Sequence, residues 1–296
     1  VGLFSTWFID CRICTDNKQV VAYSSLYSQN ILYIVAIPME PSTDAAVGTA
    51  SKNDDNKDEG FITILGFGSL LSERSSRLTF PHLRNFRLGR VPNYRRVFRH
   101  SPSSFFVKGI ARKETMEFAS LSAEYVGNAG VAAGFICAVF EVPNDAMMKG
   151  NIPLQAFLER EEAFDIQVVP YLELSSSGHK EEEEEKKERQ GIMCTSSSDQ
   201  EYIRKWGQER FDKKYTSLGI PTLWGWAKDS GLRPCPVYLR HCVLAAKALG
   251  DEAHESLLDE TFLVDRTTTI RTYLAENPHI MESTPPPAVA IQYGGI

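Results

Sequence analysis

The chain has no apolar run long enough to cross a bilayer, which needs about 20 consecutive residues. Its apolar stretch at residues 31–38 stops well short, and no basic n-region of a secretory signal precedes it. There is no surplus of positive charge either. The formal net charge of −6 over 296 residues excludes general affinity for nucleic acid. Cysteine is sparse, six in all, and only Cys11 and Cys14 have the spacing of a metal or redox pair. No second pair completes a zinc site, and no βαβ pattern surrounds the first. The histidines, among them His100, His179 and His241, form no ligand-spaced pair, so no metal site is expected. Free thiols in a reducing compartment are the simpler reading. The expected location is cytoplasmic, with an organellar presequence over residues 1–38 as the alternative.

The glycine-bearing motifs of familiar enzymes are absent too. Residues 61–71 read as a buried strand running into Gly66-Phe67-Gly68-Ser69. A dinucleotide fingerprint needs a third glycine where Leu71 stands, and a phosphate loop needs Gly-Lys-Ser/Thr. A nucleophile elbow needs Gly-x-Ser-x-Gly, whereas Gly68 directly precedes Ser69. What is present is a tight corner. Two glycines one residue apart allow positive φ and close backbone approach to a ligand, with N–H groups able to converge on an anion. An ordinary strand-to-turn corner is the plain alternative.

Hydrophobic residues make up 43% of the chain, enough for a sizeable core. Residues 1–60 do not read as a folded unit and are expected to be a disordered leader or presequence, with Met39 a candidate start. A single domain is expected over 61–280. In it, residues 86–98 suggest a strand pair with a solvated basic face. Short strands are expected at 109–112 and 119–125, and a strand buried on both faces at 131–142. A helix follows at 151–164, then a strand at 165–174 with Pro170 at an edge or bulge. Residues 175–198 read as an acidic low-complexity insertion. Helices are expected at 199–215, 236–250, 251–261 and 266–276, and a flexible tail at 281–296. Strands precede most helices, an α+β order.

Helical spacing places Leu154, Phe157, Leu158 and Phe164 on one face. At about 100° per residue, Glu161 falls about 20° from Leu154, central to that face, and Glu162 lies towards its edge. A carboxylate on a core-facing stripe is paired or working. Desolvation there raises its pKa and suits it to proton transfer, whereas pairing with an arginine makes it structural. On the helix at 236–250, Tyr238, Cys242, Ala245 and Leu249 form a buried stripe. Tyr238 stands at its start, either to meet a ligand or as a core aromatic.

Together these stretches resemble the gamma-glutamylcyclotransferase superfamily, in the same order from about residue 61 to 258. The family's strand ending in Tyr-Gly-Ser, followed by a leucine-rich stretch with Glu-Arg, is similar to Gly66-Phe67-Gly68-Ser69-Leu70-Leu71-Ser72-Glu73-Arg74. Its Gly-Ile-Ala is similar to Gly109-Ile110-Ala111. Its long strand, Pro-turn and Glu-bearing helix resemble residues 134–142 and 154–161, and its Pro-x-Tyr resembles Pro236-Val237-Tyr238. The resemblance implies a small mixed β-barrel with flanking helices. It implies release of 5-oxoproline from a γ-glutamyl amine, γ-glutamyl amino acid or glutathione-like peptide, without a cofactor. By it, the backbone of Ile64, Leu65, Gly66, Phe67, Gly68 and Ser69 binds the γ-glutamyl group, Glu161 is the general acid/base and Tyr238 lines the pocket. The chain departs from the family in Phe67 for tyrosine, in lacking an Asn after Ser69, and in the acidic insertion and extended termini. A small-molecule γ-glutamyl substrate is the expected partner, with neither nucleic acid nor membrane. The alternative is a non-catalytic protein of this fold that binds a small ligand or a protein. A serine hydrolase lacks both the elbow and a placed histidine.

Overall fold

The computed structural model describes residues 60–128, 133–143, 157, 160–174 and 188–294, and the backbone of 11–12, 23–28 and 31–36. It divides into two units, Val1–Asp55 and Asn56–Ile296. The first holds a three-stranded antiparallel sheet of β1 (Cys11–Arg12), β2 (Tyr23–Ser28) and β3 (Ile31–Ala36), within the segment expected to be a leader.

The second unit is mixed α+β and built on a closed five-stranded barrel. Its strands are β4 (Phe61–Gly66), β5 (Arg84–Pro92), β8 (Gly134–Pro143), β9 (Asp165–Glu173) and β10 (Glu188–Thr195). The continuous apolar run of β8 lies between β4 and β5, antiparallel to both, and is buried at successive positions from Gly134 to Phe140, on both faces. β4 pairs in parallel with β10 through Ile64↔Ile192 and Leu65↔Met193, and β9 joins β10 to β5. A second sheet has the order β11-β7-β6-β12, from β6 (Tyr94–His100), β7 (Glu117–Tyr125), β11 (Arg233–Pro234) and β12 (Thr261–Phe262). Helices flank the sheets: α1 (Glu73–Thr79), α2 (Ser103–Val107), α3 (Asp199–Trp206), α4 (Gln208–Lys214), α5 (Pro236–Leu249), α6 (Asp251–Asp259), α7 (Ile270–Glu276) and α8 (Ala290–Tyr293).

Several expectations are corrected. β5 and β6 are consecutive yet belong to different sheets, so they are not a strand pair. Their arginines do not make a bare basic face. Arg84 and Arg87 meet Glu141, Arg90 meets Glu260, Arg95 and Arg99 meet Glu124, and Arg96 is buried on Ser256 and the Ile136 carbonyl. Residues 109–112 form a turn, with Gly109 at φ 68° and Ile110 buried beneath it. The helix expected over 199–215 breaks at Gly207, whose φ of 86° admits no helical continuation.

Two corrections concern the site. The insertion expected over 175–198 ends in a barrel strand: Gly191, Met193 and Cys194 of β10 are buried, Met193 opposite Leu65. A Cβ on Gly191 would lie 2.8 Å from Leu65 Cγ, so the glycine lets the two strands close. Residues 175–187 lie outside the described residues. The tail expected to be flexible includes α8, where Tyr293 is buried against Phe105, Tyr238 and His241.

Candidate active site

β4 carries the glycine corner to the edge of the core. Ile64 and Leu65 are buried in the barrel, and Phe67 packs edge-on against Phe135. The corner is closed by a short 3-10 turn, Ser69–Leu71, with Leu71 N–H donating to the Gly68 carbonyl at 3.0 Å. Ser72 then caps α1 by accepting from Ser75 N–H at 3.2 Å. Neither glycine adopts positive φ, contrary to one use expected of them. Both serve close approach instead. A Cβ on Gly66 would lie 2.5 Å from that of Leu70, and one on Gly68 would overlap the Tyr238 hydroxyl.

Tyr238 reaches the corner because Pro236 opens α5 two residues earlier, in the first turn, where a missing N–H costs nothing. Its ring packs against Phe98, Phe105 and Tyr293. Burial pushes its hydroxyl well above the ordinary phenol range. The expected stripe is present: Tyr238, Cys242 and Ala245 are buried, and Leu249 packs on the same core. The structure therefore brings Tyr238 and the corner together.

Of the helix expected over 151–164, Leu154 and Leu158 lie outside the described residues. Phe157 is buried against Phe80, and the Glu161 N–H closes a helical turn on the Phe157 carbonyl at 2.9 Å. The following residues are pinned from the other side. Trp206 Nε1 donates to the Glu162 carbonyl at 2.9 Å, and Trp224 Nε1 to that of Ala163 at 3.1 Å. Asp199 fixes Trp224 in turn by accepting its backbone N–H at 2.7 Å. Two tryptophans thus hold the turn from which Glu161 projects.

The Glu161 side chain keeps 13% of its surface accessible and pairs with Arg160 Nε at 2.9 Å. Desolvation pushes its carboxyl above the ordinary value. Arg160 and a hydrogen bond from the Cys194 thiol pull the other way without cancelling the rise. Arg160 also donates through Nη2 to Ser69 Oγ at 2.7 Å and through Nη1 to Thr79 Oγ1. One guanidinium therefore links the glycine corner, α1 and Glu161.

Glu162 differs from its expected place at the edge of the face. It is buried, and its carboxylate accepts from Arg210 Nη2 at 2.5 Å, from Lys214 Nζ and from Tyr202 Oη at 3.2 Å. Two cations and a phenol make it a structural carboxylate. Glu161 has one cation and a raised pKa, the condition of a group that can exchange protons.

Sequence reasoning missed Arg160, Cys194 and Tyr293 as neighbours of Glu161. Arg160 adjoins Glu161 and could have been suspected from that alone. Cys194 was hidden behind the charge block and Tyr293 behind the proline-rich tail. Cavities of about 200 Å³ beside Thr63, Glu141 and Tyr171, and about 380 Å³ beside Val243, Leu258 and Leu274, lie apart from these groups. Among the described residues no three His, Cys, Asp or Glu side chains converge as metal ligands. No described helix is long and apolar enough to cross a membrane.

No known family profile matches the chain, and no curated protein matches it. Among solved structures, it is similar to a yeast gamma-glutamyl cyclotransferase specific to glutathione. That match has 12% identity and a TM-score of 0.42, covering 76% of this chain and 96% of that one. It is similar to an uncharacterized protein from Homo sapiens at 13% identity and a TM-score of 0.39, covering 65% and 82%. It is also similar to a gamma-glutamyl cyclotransferase at 12% identity and a TM-score of 0.32, covering 54% and 86%. Likeness at this level carries no argument about chemistry.

Proposed function

We propose that the chain is a cyclotransferase releasing 5-oxoproline from a γ-glutamyl amine, γ-glutamyl amino acid or glutathione-like peptide. The supporting observation is the run of contacts from Ser69 through Arg160 to Glu161. It joins the corner that resembles the family's ligand loop to a desolvated carboxylate. The substrate's α-amine attacks its own γ-carbonyl carbon, so the nucleophile is intramolecular and already close. A nitrogen–carbon bond forms and the bond to the departing amine breaks. Glu161 takes a proton from the attacking ammonium and returns one to the leaving nitrogen, so the reaction needs no net proton. Tyr238, with its hydroxyl against Gly68, lines the γ-glutamyl end, and Phe67 offers no hydroxyl there.

The 2.9 Å Arg160–Glu161 pair favours a second reading, in which Glu161 is a structural ion pair in a non-catalytic protein that binds a ligand or partner. Product analysis over a panel of γ-glutamyl amines, amino acids and peptides separates the two. Formation of 5-oxoproline with an equal amount of free amine is expected. Saturable binding without any product supports the second reading, and free glutamate as product contradicts both.

A further inference from the structure

Lys108 ends α2 and is half-buried. Its Nζ donates to Gln292 Oε1 at 2.8 Å and to Tyr293 Oη at 3.3 Å, and lies 5.2 Å from the centre of the Tyr293 ring. These partners are neutral, and among the described residues no carboxylate pairs with it. Lysine side chains ordinarily extend their charge into water. This one is instead held against a tyrosine, and both burial and the Arg160 guanidinium lower its pKa. Beside the same tyrosine ring stands His241, its ring centre 5.8 Å away, buried, with the Ser69 backbone as a hydrogen-bonding neighbour and its pKa lowered to about 4 by desolvation. Arg160 and Lys108 together outnumber the single carboxylate of Glu161. An excess cation beside the corner matches an anionic group of a ligand.

The γ-glutamyl half of a substrate must set its amine against Glu161. Lys108 is joined to the corner through Tyr293, whose ring packs on Tyr238, whereas Arg160 touches Glu161 and Ser69 directly. Lys108 therefore stands off from the point of attack. Arg160 is already engaged by Ser69, Thr79 and Glu161.

We propose that Lys108, steadied by Gln292 and Tyr293, is the specificity-determining residue of the site and receives a carboxylate carried by the departing amine. The inference rests on the cyclotransferase reading and adds to it a residue that reads the charge of the leaving group. It also gives α8 a role, as the support of a binding cation.

A matched pair of substrates tests this: γ-glutamylalanine, whose leaving amine carries a carboxylate, and γ-glutamylethylamide, the same compound without it. The parent should favour γ-glutamylalanine at least about tenfold in kcat/KM, chiefly through KM, as a charge-assisted contact of ~1.5 kcal/mol or more gives. Lys108→Met and Lys108→Gln should bring that ratio to within about threefold of unity, and Lys108→Arg should keep most of it. A lysine that merely pinned α8 would change melting temperature and leave the ratio alone. Two variants guard against one failing to fold, and Gln292→Ala, which loosens the ammonium, should give an intermediate ratio. A parent with no preference, or neutral variants that retain it, would overturn the role of Lys108 alone. Turnover of neither substrate by the parent would remove the cyclotransferase reading and this inference with it.

Discussion

Glu161 and Glu162 leave the same turn for different surroundings, and replacing each should act on stability in opposite directions at neutral pH. Burial holds the folded-state pKa of Glu161 above its ordinary value of 4.5. Its folded form binds a proton more tightly than its unfolded form does. Its contribution to stability is therefore fully present below pH 4.5 and is lost as pH rises through the folded-state value. Glu161→Gln should melt with the parent in acid and above it near pH 7, the gap opening as pH rises. Glu162→Gln should do the reverse at neutral pH. It leaves Arg210 and Lys214 without their buried acceptor, and a loss of about 1–3 kcal/mol is expected, moderated because both cations are partly solvated. Melting curves of both variants from pH 4 to 8 check this. A Glu161→Gln variant less stable than the parent at pH 7 would mean that the Arg160 pair outweighs the burial of the carboxylate.

The elements legible in the sequence were those whose signals are local. β8 announces itself by an uninterrupted apolar run, and α5 by proline at its start and glycine past its end. β10 does not. Its apolar positions, Gly191 to Cys194, follow a run of glutamates and lysines, and one of its two partner strands, β4, lies more than a hundred residues away in sequence. The pairing of β5 and β6 with other partners, and the docking of Tyr293, are likewise set by distant contacts that no local pattern carries. Glu161 stood out in the sequence because a carboxylate on an expected apolar face breaks its pattern; its contacts with Arg160 and Cys194 come from the fold. A variant with residues 175–187 exchanged for a short Gly/Ser linker should keep the parental melting temperature within a few degrees, since loop length costs little entropy. Gly191→Val should lower it by about 5 °C or more, because its branches enter the space of Leu65 at the barrel seam. Thermal unfolding of the two proteins decides this, and parental stability of Gly191→Val would mean that β10 does not close the barrel.

At the scale of the molecule, the barrel and second sheet bring together groups far apart in the chain. The glycine corner ends a barrel strand, Tyr238 begins a helix, and Glu161 leaves a turn pinned by Trp206 and Trp224. The aromatic cluster around Tyr202, Phe211, Tyr215 and Trp224 packs under that turn and holds Glu162. A rigid support on one side and a guanidinium anchored by Ser69 and Thr79 on the other would hold the carboxylate still for the proton transfer proposed for it. The most direct test is the rate of 5-oxoproline release from γ-glutamylalanine by Glu161→Gln against the parent, with folding checked by melting curves. The amide keeps the size and hydrogen-bonding capacity of the carboxylate and removes only its basicity. Folded Glu161→Gln should lose roughly two to four orders of magnitude in rate, and turnover near that of the parent would contradict the role given to Glu161.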